Sequence, residues 1–375
     1  MKLVDITPYF HSKSGGIRRY ILEKVKYLEG KDIEHVLIIP GKEKKVYRIW
    51  STKVYQIPSF PIPMSGGYRF FGSFKDIKEI LRMEKPNVVE LGGTYIPITH
   101  LRSQRYKLIV FYHADVRTDA SLLPIPEKLK EKLINFTLTK KLSFADFIIT
   151  PSTRQEEFLK QNGFEKVQTV NLGVDTHVFN TSTRDHRLSR MLGIMDHTFK
   201  VIYAGRLSPE KGIDILLDVI DIMDPSLFYF LIAGDGPLKG KVERFAQRRP
   251  NVSYLGYIQN EEELSRIYAS CDIYISASTS ETYGLSFLEA QACGCLLVAP
   301  DLGLETQPFK DFLVKTPDTE SFYDALIRAA NAQSFLMREK VSSHIKENFS
   351  WERCFEKLLE VYSLVDEQVF KIESG

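Results

Sequence analysis

Apolar residues in this chain fall into short, nearly continuous runs rather than strict alternation. In the first half the runs occupy 2–6, 35–39, 53–57, 87–91, 107–112 and 146–150, each rich in β-branched or aromatic residues. In the second half they return at 201–205, 228–234, 252–256, 272–276 and 295–299. Runs of this kind predict parallel strands covered on both faces. Helical patterns separate several of them, at 17–29, 74–85, 126–144, 212–223, 238–248, 261–270 and 286–293. Strand–helix–strand order repeated in this way predicts an α/β protein with doubly wound parallel sheets. The rhythm breaks in a polar, turn-rich stretch after residue 170, which divides the chain into domains 1–170 and 171–349. An amphipathic helix pattern follows, with Ser350 as its expected cap. Two open sheets of this type bind ligands at the C-terminal ends of their strands and are expected to face each other across a cleft.

Composition narrows the picture without changing it. A length of 375 residues suits two domains or three, and 43% hydrophobic with 26% charged residues excludes disorder, collagen and coiled coil. The longest uncharged stretch, Val54 to Tyr68, carries Pro58, Pro61 and Pro63 and cannot span a bilayer as a helix. The opening residues lack a signal-peptide pattern, so a cytoplasmic protein is expected. Four cysteines without ligand-spaced partners predict neither a disulfide framework nor a zinc site. The net charge of +2 hides a split. Residues 1–170 hold 29 Lys and Arg against 18 Asp and Glu, and the remainder 21 against 30. The two halves are therefore expected to meet different partners.

Candidate chemistry sits just after strands. After 272–276, Glu281 and Glu289 flank the sequence Thr282-Tyr283-Gly284-Leu285 at the expected start of a helix. Free N–H groups there suit a phosphate, and carboxylates on either side accept hydrogen bonds from sugar hydroxyls. That is the layout of a nucleotide sugar, although such a spacing of two glutamates alone carries little weight. Arg206 follows the strand 201–205 and Lys211 precedes the next helix, a fork and a point charge fit to clamp a diphosphate. No Asp-x-Asp pair occurs, so the common metal-binding carboxylates are missing and no metal is expected. Ser14-Gly15-Gly16 lets backbone amides approach a phosphate or merely makes a tight turn, and Gly234-Asp235-Gly236-Pro237 reads the same way. His113 ends the strand 107–112, where it can donate or accept a proton near neutral pH or serve structure alone.

Taken in order, SGGIRRY, FYHAD, NLGVDTHVF, AGRLSPEKG, IAGDGP, YLGYI and ETYGLSFLEAQACG resemble the retaining glycosyltransferases of the group 1 type, family 4, with the GT-B fold. FSWERCFEKLLEVY resembles that family's final helix, which returns to the N-terminal domain, so residues from about 350 to 375 are expected there. The resemblance implies a hexosyltransferase using UDP-glucose or GDP-mannose, with neither metal nor cofactor. It assigns Gly15 and Gly16 to the donor phosphate loop and His113 to the transferred sugar. Arg206 and Lys211 become the diphosphate pair, Glu281 the sugar contact and Glu289 the ribose contact. Gly284 and Leu285 meet the phosphates, Gly234, Thr282 and Tyr283 also belong to the donor site, and Tyr257-Ile258 lies beside the base. His113, Glu281, Arg206 and Lys211 are the expected catalytic set. The pattern departs from the family where Gly303 is followed by Leu304 and then ETQPFKDF. A catalytically inactive nucleotide-sugar-binding subunit and a sugar-nucleotide epimerase of the same architecture remain alternatives at this point.

The resemblance places the acceptor on the basic half. A glycan, a lipid or a small hydroxyl compound is the expected acceptor, and nucleic acid is not expected. A basic acceptor domain also suits an anionic membrane surface, giving a protein peripheral to the inner face. The pattern 126–144 offers Lys128, Lys130, Lys132, Lys140 and Lys141, and the stretch Tyr68 to Phe74 offers aromatics for such an interface.

Overall fold

A computed structural model divides the chain into two compact units, Met1–Leu172 with Glu352–Gly375, and Gly173–Trp351. The structure describes residues 1–10, 16–61, 69–93, 101–113, 116–117, 126–185 and 187–373, so Gly15 and Tyr68 lie outside the described residues.

The first unit contains strands β1 (Lys2–Ile6), β2 (Glu34–Gly41), β3 (Lys45–Ile49), β4 (Thr52–Pro61), β5 (Arg69–Phe71), β6 (Val88–Gly92), β7 (Lys107–Phe111), β8 (Phe147–Thr150) and β9 (Val167–Thr169). They form one sheet in the order β3-β4-β2-β1-β6-β7-β8-β9, with β5 also on β4. The sheet is parallel except where β3 and β5 run antiparallel to β4. Strand β3 escapes the hydrophobic pattern because its sequence KVYRI is an edge strand with mostly exposed side chains. One face carries Val4, Ile6, Val36, Ile38, Val89, Leu91, Leu108 and Val110 into a core covered by Ile77, Ile80 and Leu81 of helix Phe74–Glu84. Each such side chain contributes about 1.5–3 kcal/mol on full burial. Phe71 and Phe74 belong to this core, which removes them from the expected interface.

The opposite face is charged at its centre. Asp5 and Glu90 are register partners on β1 and β6. Between them lies Lys24 of helix Gly16–Leu28, whose Nζ donates to Asp5 Oδ1 (2.8 Å), Glu90 Oε1 (3.2 Å) and Tyr362 Oη (2.7 Å). Three donors meet three acceptors, so the buried ammonium is satisfied. Tyr20 donates to Glu90 Oε1 (3.0 Å), and Tyr362 donates to Glu90 Oε2. His35 Nε2 meets Asp5 Oδ2 at 3.1 Å. Burial pushes Asp5 up, but Lys24 and His35 outweigh it and hold the carboxyl below its usual range. At Glu90 burial is the larger influence; Lys24 recovers part of it and Asp5 adds to the rise, leaving the group above its usual value. Tyr362 comes from helix Trp351–Glu373, so this network ties the returning helix to the first unit.

The second unit holds five parallel strands, β10 (Phe199–Ala204), β11 (Phe228–Ala233), β12 (Val252–Gly256), β13 (Ile273–Ile275) and β14 (Leu296–Val298), in the order β12-β11-β10-β13-β14. The chain winds outward one way from β10, then returns to add β13 and β14 on the other side. The topological switch therefore falls between β10 and β13, and the crevice outside their C-terminal ends is where such sheets bind ligands.

Candidate functional site

Both loops at this switch point carry the expected residues. After β10 the chain passes Gly205-Arg206 and a 3₁₀ turn, Pro209–Lys211, into helix Ile213–Ile222. After β13 it runs through Glu281 into helix Leu285–Ala292. Gly212 makes their approach feasible. Its φ is +68°, and a Cβ there would stand 2.4 Å from the Ala277 carbonyl oxygen. Ser280 Oγ adds a bond to the Glu210 carbonyl (3.2 Å). With the loops so joined, Lys211 Nζ and Glu281 Oε1 meet at 2.5 Å, both partly buried.

Arg206 stands apart. Its side chain is exposed and makes no ion pair among the described residues, while its carbonyl oxygen accepts from Tyr203 Oη (2.8 Å). The backbone of this cation is thus fixed and its guanidinium is available. Gly284 caps helix Leu285–Ala292 with φ +81°, in the left-handed region, and leaves the amides of Leu285 and Ser286 without intrahelical acceptors. Two cations, one carboxylate and a helix N-terminus therefore follow the two strands at the switch point. That set suits an anion bearing hydroxyls.

The remaining sites fall as follows. Glu289 is buried within helix Leu285–Ala292, while Thr282 is half-buried and Tyr283 buried in the loop before it. Gly234 has φ +148°, and a Cβ would lie 1.9 Å from the Gly205 carbonyl oxygen, so its requirement for glycine is packing between the β10 and β11 loops. Tyr257 is exposed and Ile258 half-buried after β12. The unusual segment after Gly303 proves to be scaffolding. Thr306 Oγ1 donates to the Tyr283 carbonyl (2.7 Å), and Gln307 accepts from the amides of Leu302 and Leu304 while donating to Pro300 (2.7 Å). Sequence reasoning missed this support, because nothing in the sequence marks Thr306 and Gln307 as buried.

Gly16 and His113 belong to the first unit. Gly16 opens helix Gly16–Leu28. His113 stacks on Phe111 with ring centroids 4.0 Å apart and meets the Tyr20 ring edge at 5.2 Å. Desolvation by these rings, reinforced by the charge of Lys24, pushes its imidazole down to about 3. That lies below the near-neutral range that the sequence left open for it. Its Nε2 is shielded from solvent and has no hydrogen-bond partner among the described residues. No group of three or more potential metal-ligating side chains occurs among the described residues.

Comparison with known proteins follows the same two units. Residues 14–178 match the family described as Glycosyltransferase Family 4, and residues 198–332 match Glycosyl transferases group 1. The chain is similar to a GDP-mannose-dependent alpha-(1-6)-phosphatidylinositol dimannoside mannosyltransferase of Mycobacterium tuberculosis, 25% identical over 96% of this chain and 95% of the relative. Among solved structures it is similar to sucrose-phosphate synthase of Thermosynechococcus elongatus, with a TM-score of 0.79 and 15% identity over 99% of this chain and 100% of the other. It also resembles Anabaena HepE solved with UDP and glucose, with a TM-score of 0.70 and 17% identity over 97% and 99%. The fold is shared with these proteins and is of the GT-B class.

Proposed function

We propose that this chain, a member of the group 1 glycosyltransferases of family 4 and thus a nucleotide-sugar glycosyltransferase, transfers a hexose from a UDP-glucose or GDP-mannose type donor with retention of configuration and without a metal. The observation that carries the reading is the Lys211–Glu281 pair at the switch point of the second unit, with Arg206, which makes no ion pair among the described residues, on the same loop as Lys211. Arg206 and Lys211 stabilise the diphosphate as it departs, the charge-neutralising task a metal performs elsewhere. A diphosphate oxygen takes the proton of the incoming hydroxyl on the same face of the sugar, so no protein carboxylate is needed as nucleophile. Glu281 holds sugar hydroxyls and Glu289 the ribose. His113, whose Nε2 has no hydrogen-bond partner among the described residues, supports a hydrogen-bonding role toward the sugar rather than proton transfer. The mycobacterial relative, named as GDP-mannose-dependent and for phosphatidylinositol dimannoside, supports a similar donor and a glycan or lipid acceptor here.

Assay of donor hydrolysis and transfer over a panel of UDP- and GDP-hexoses tests the reading. One of them is expected to turn over undiminished in EDTA. Strict dependence on added magnesium or manganese would overturn the metal-free mechanism.

Association with an anionic membrane is supported by helix Glu127–Lys140. Leu129, Leu133 and Phe136, spaced along one side, are 49%, 38% and 54% exposed, an unusual state for an apolar helical stripe. Lys128, Lys132 and Lys140 are exposed around it, whereas Lys130 is tied to Glu127 (2.8 Å) and Lys141 is partly buried. No helix among the described residues is long and apolar enough to cross a membrane. Sedimentation with anionic liposomes should be salt-sensitive and lost when Lys128, Lys132 and Lys140 become Gln. A wild-type protein that ignores such liposomes at low salt contradicts the membrane reading.

A further inference from the structure

A second cationic site lies in the first unit, at the edge of the sheet opposite His113. Lys85-Pro86 leads into β6 and Arg105-Tyr106 leads into β7, and these strands are parallel neighbours. Both segments therefore arrive at the N-terminal edge. His113 leaves β7 at the other end, about 16 Å away along five residues of strand.

Between these segments is a cleft of about 640 Å³, a size typical of small-ligand sites. Five cations line it: Lys78, Arg82 and Lys85 from helix Phe74–Glu84 and its C-terminal cap, and Arg102 and Arg105 from the segment before β7. All five are exposed, and none of their side chains makes an ion pair among the described residues. No carboxylate lines the cleft, and Glu79 is the acidic neighbour in the shallower hollow alongside. The helix end accounts for part of the cluster, because Arg82 and Lys85 complement its negative dipole end. It does not account for Arg102 and Arg105, which come from another segment. Nor does it explain Lys85 itself, which holds φ +48° at a cap where glycine or asparagine is usual. A lysine kept in the left-handed region places a charge at the cleft despite the backbone strain.

We propose that this cleft binds a soluble anion carrying two or more phosphoryl groups, at a place separate from the sugar-transfer site. Arginine forks and lysine point charges at several angles match phosphoryl oxygens. The concavity suits a compact soluble anion better than the flat surface of a bilayer.

The test uses the full chain with Arg206→Ala and Lys211→Ala, so that phosphate binding in the second unit does not contribute. Titration with tripolyphosphate at low salt, followed by calorimetry, should show one site per chain that weakens as salt rises. Hydrogen exchange should slow at residues 78–86 and 101–106. Arg102→Gln/Arg105→Gln should weaken binding about tenfold or more. Lys78→Gln/Arg82→Gln, on an exposed helical face, should do the same should the arginine pair fail to fold. Absence of binding, or binding unchanged in whichever folded variant is tested, overturns the proposal. Anionic vesicles that bind through Arg102 and Arg105 while tripolyphosphate does not would also overturn it, by assigning the cations to a membrane.

Discussion

Under the proposed donor geometry, truncating Lys211 to Ala removes more than one phosphate contact. The ammonium lies 2.5 Å from Glu281 Oε1, and the side chains are only 25% and 16% exposed. At an effective dielectric of about 20, unit charges at that distance attract by about 7 kcal/mol before desolvation is subtracted. The surplus for close, partly buried pairs is about 1–3 kcal/mol. In Lys211→Ala the carboxylate of Glu281 is left unpaired where the proposed function seats the donor diphosphate. The variant therefore loses a stabilising charge and gains a repelling one. Loss of one preorganised charge lowers turnover by about 10²–10³, and the stranded carboxylate adds to it. Removing Glu281 as well relieves that second effect. A double-mutant cycle on kcat/KM should show the Lys211→Ala/Glu281→Ala loss smaller than the product of the single losses by about 5- to 150-fold. Thermal unfolding of all four proteins separates folding from activity. Independent, multiplicative losses would refute the claim that the two residues work as one unit.

Gly234→Ala and Gly284→Ala should each destabilise the second unit by about 2 kcal/mol or more, because both demand positive φ and meet close neighbours, Gly205 O at 1.9 Å and Phe287 Cδ2 at 2.7 Å. Unfolding midpoints in urea check this. Lys24→Met strands two buried carboxylates and should cost about 3–5 kcal/mol, whereas Tyr362→Phe removes hydrogen bonds only and should cost about 1–3 kcal/mol by the same measurement. The imidazole of His113 is pushed down to about 3 by burial and by Lys24. The unfolded chain, with an ordinary histidine, thus binds the extra proton between about pH 6.5 and 3. Stability should therefore fall as pH falls through that window, and His113→Gln should flatten the slope by up to about 1.4 kcal/mol per pH unit. Equal slopes in the two proteins would count against the shielded imidazole.

Continuous apolar runs made the buried parallel strands legible, since β1, β2, β6 and β10 are covered on both faces and could hardly read otherwise. Strand β3 was not legible, because an exposed edge has no burial to record. At the candidate site, Arg206, Lys211 and Glu281 stood out as charged residues directly after strands. The contact between Lys211 and Glu281 did not, because it depends on Gly212 allowing two loops 70 residues apart to touch. Lys24 did not stand out within the helix pattern 17–29. Its burial follows from Asp5 and Glu90 being brought side by side by sheet register, which no local pattern encodes.

The bond between Lys24 and Tyr362 spans 338 positions, with the whole second unit made between them. During synthesis the first sheet emerges with Asp5, Glu90 and Lys24 in place but without the phenol that completes the set. Until residues beyond Trp351 leave the ribosome, Lys24 and Glu90 lack their Tyr362 partner. The second unit has all its strands by then and can fold first. A chain stalled or cleaved after residue 351 should accordingly leave an intact second unit attached to a fragile first one, the reverse of the order in which they were made.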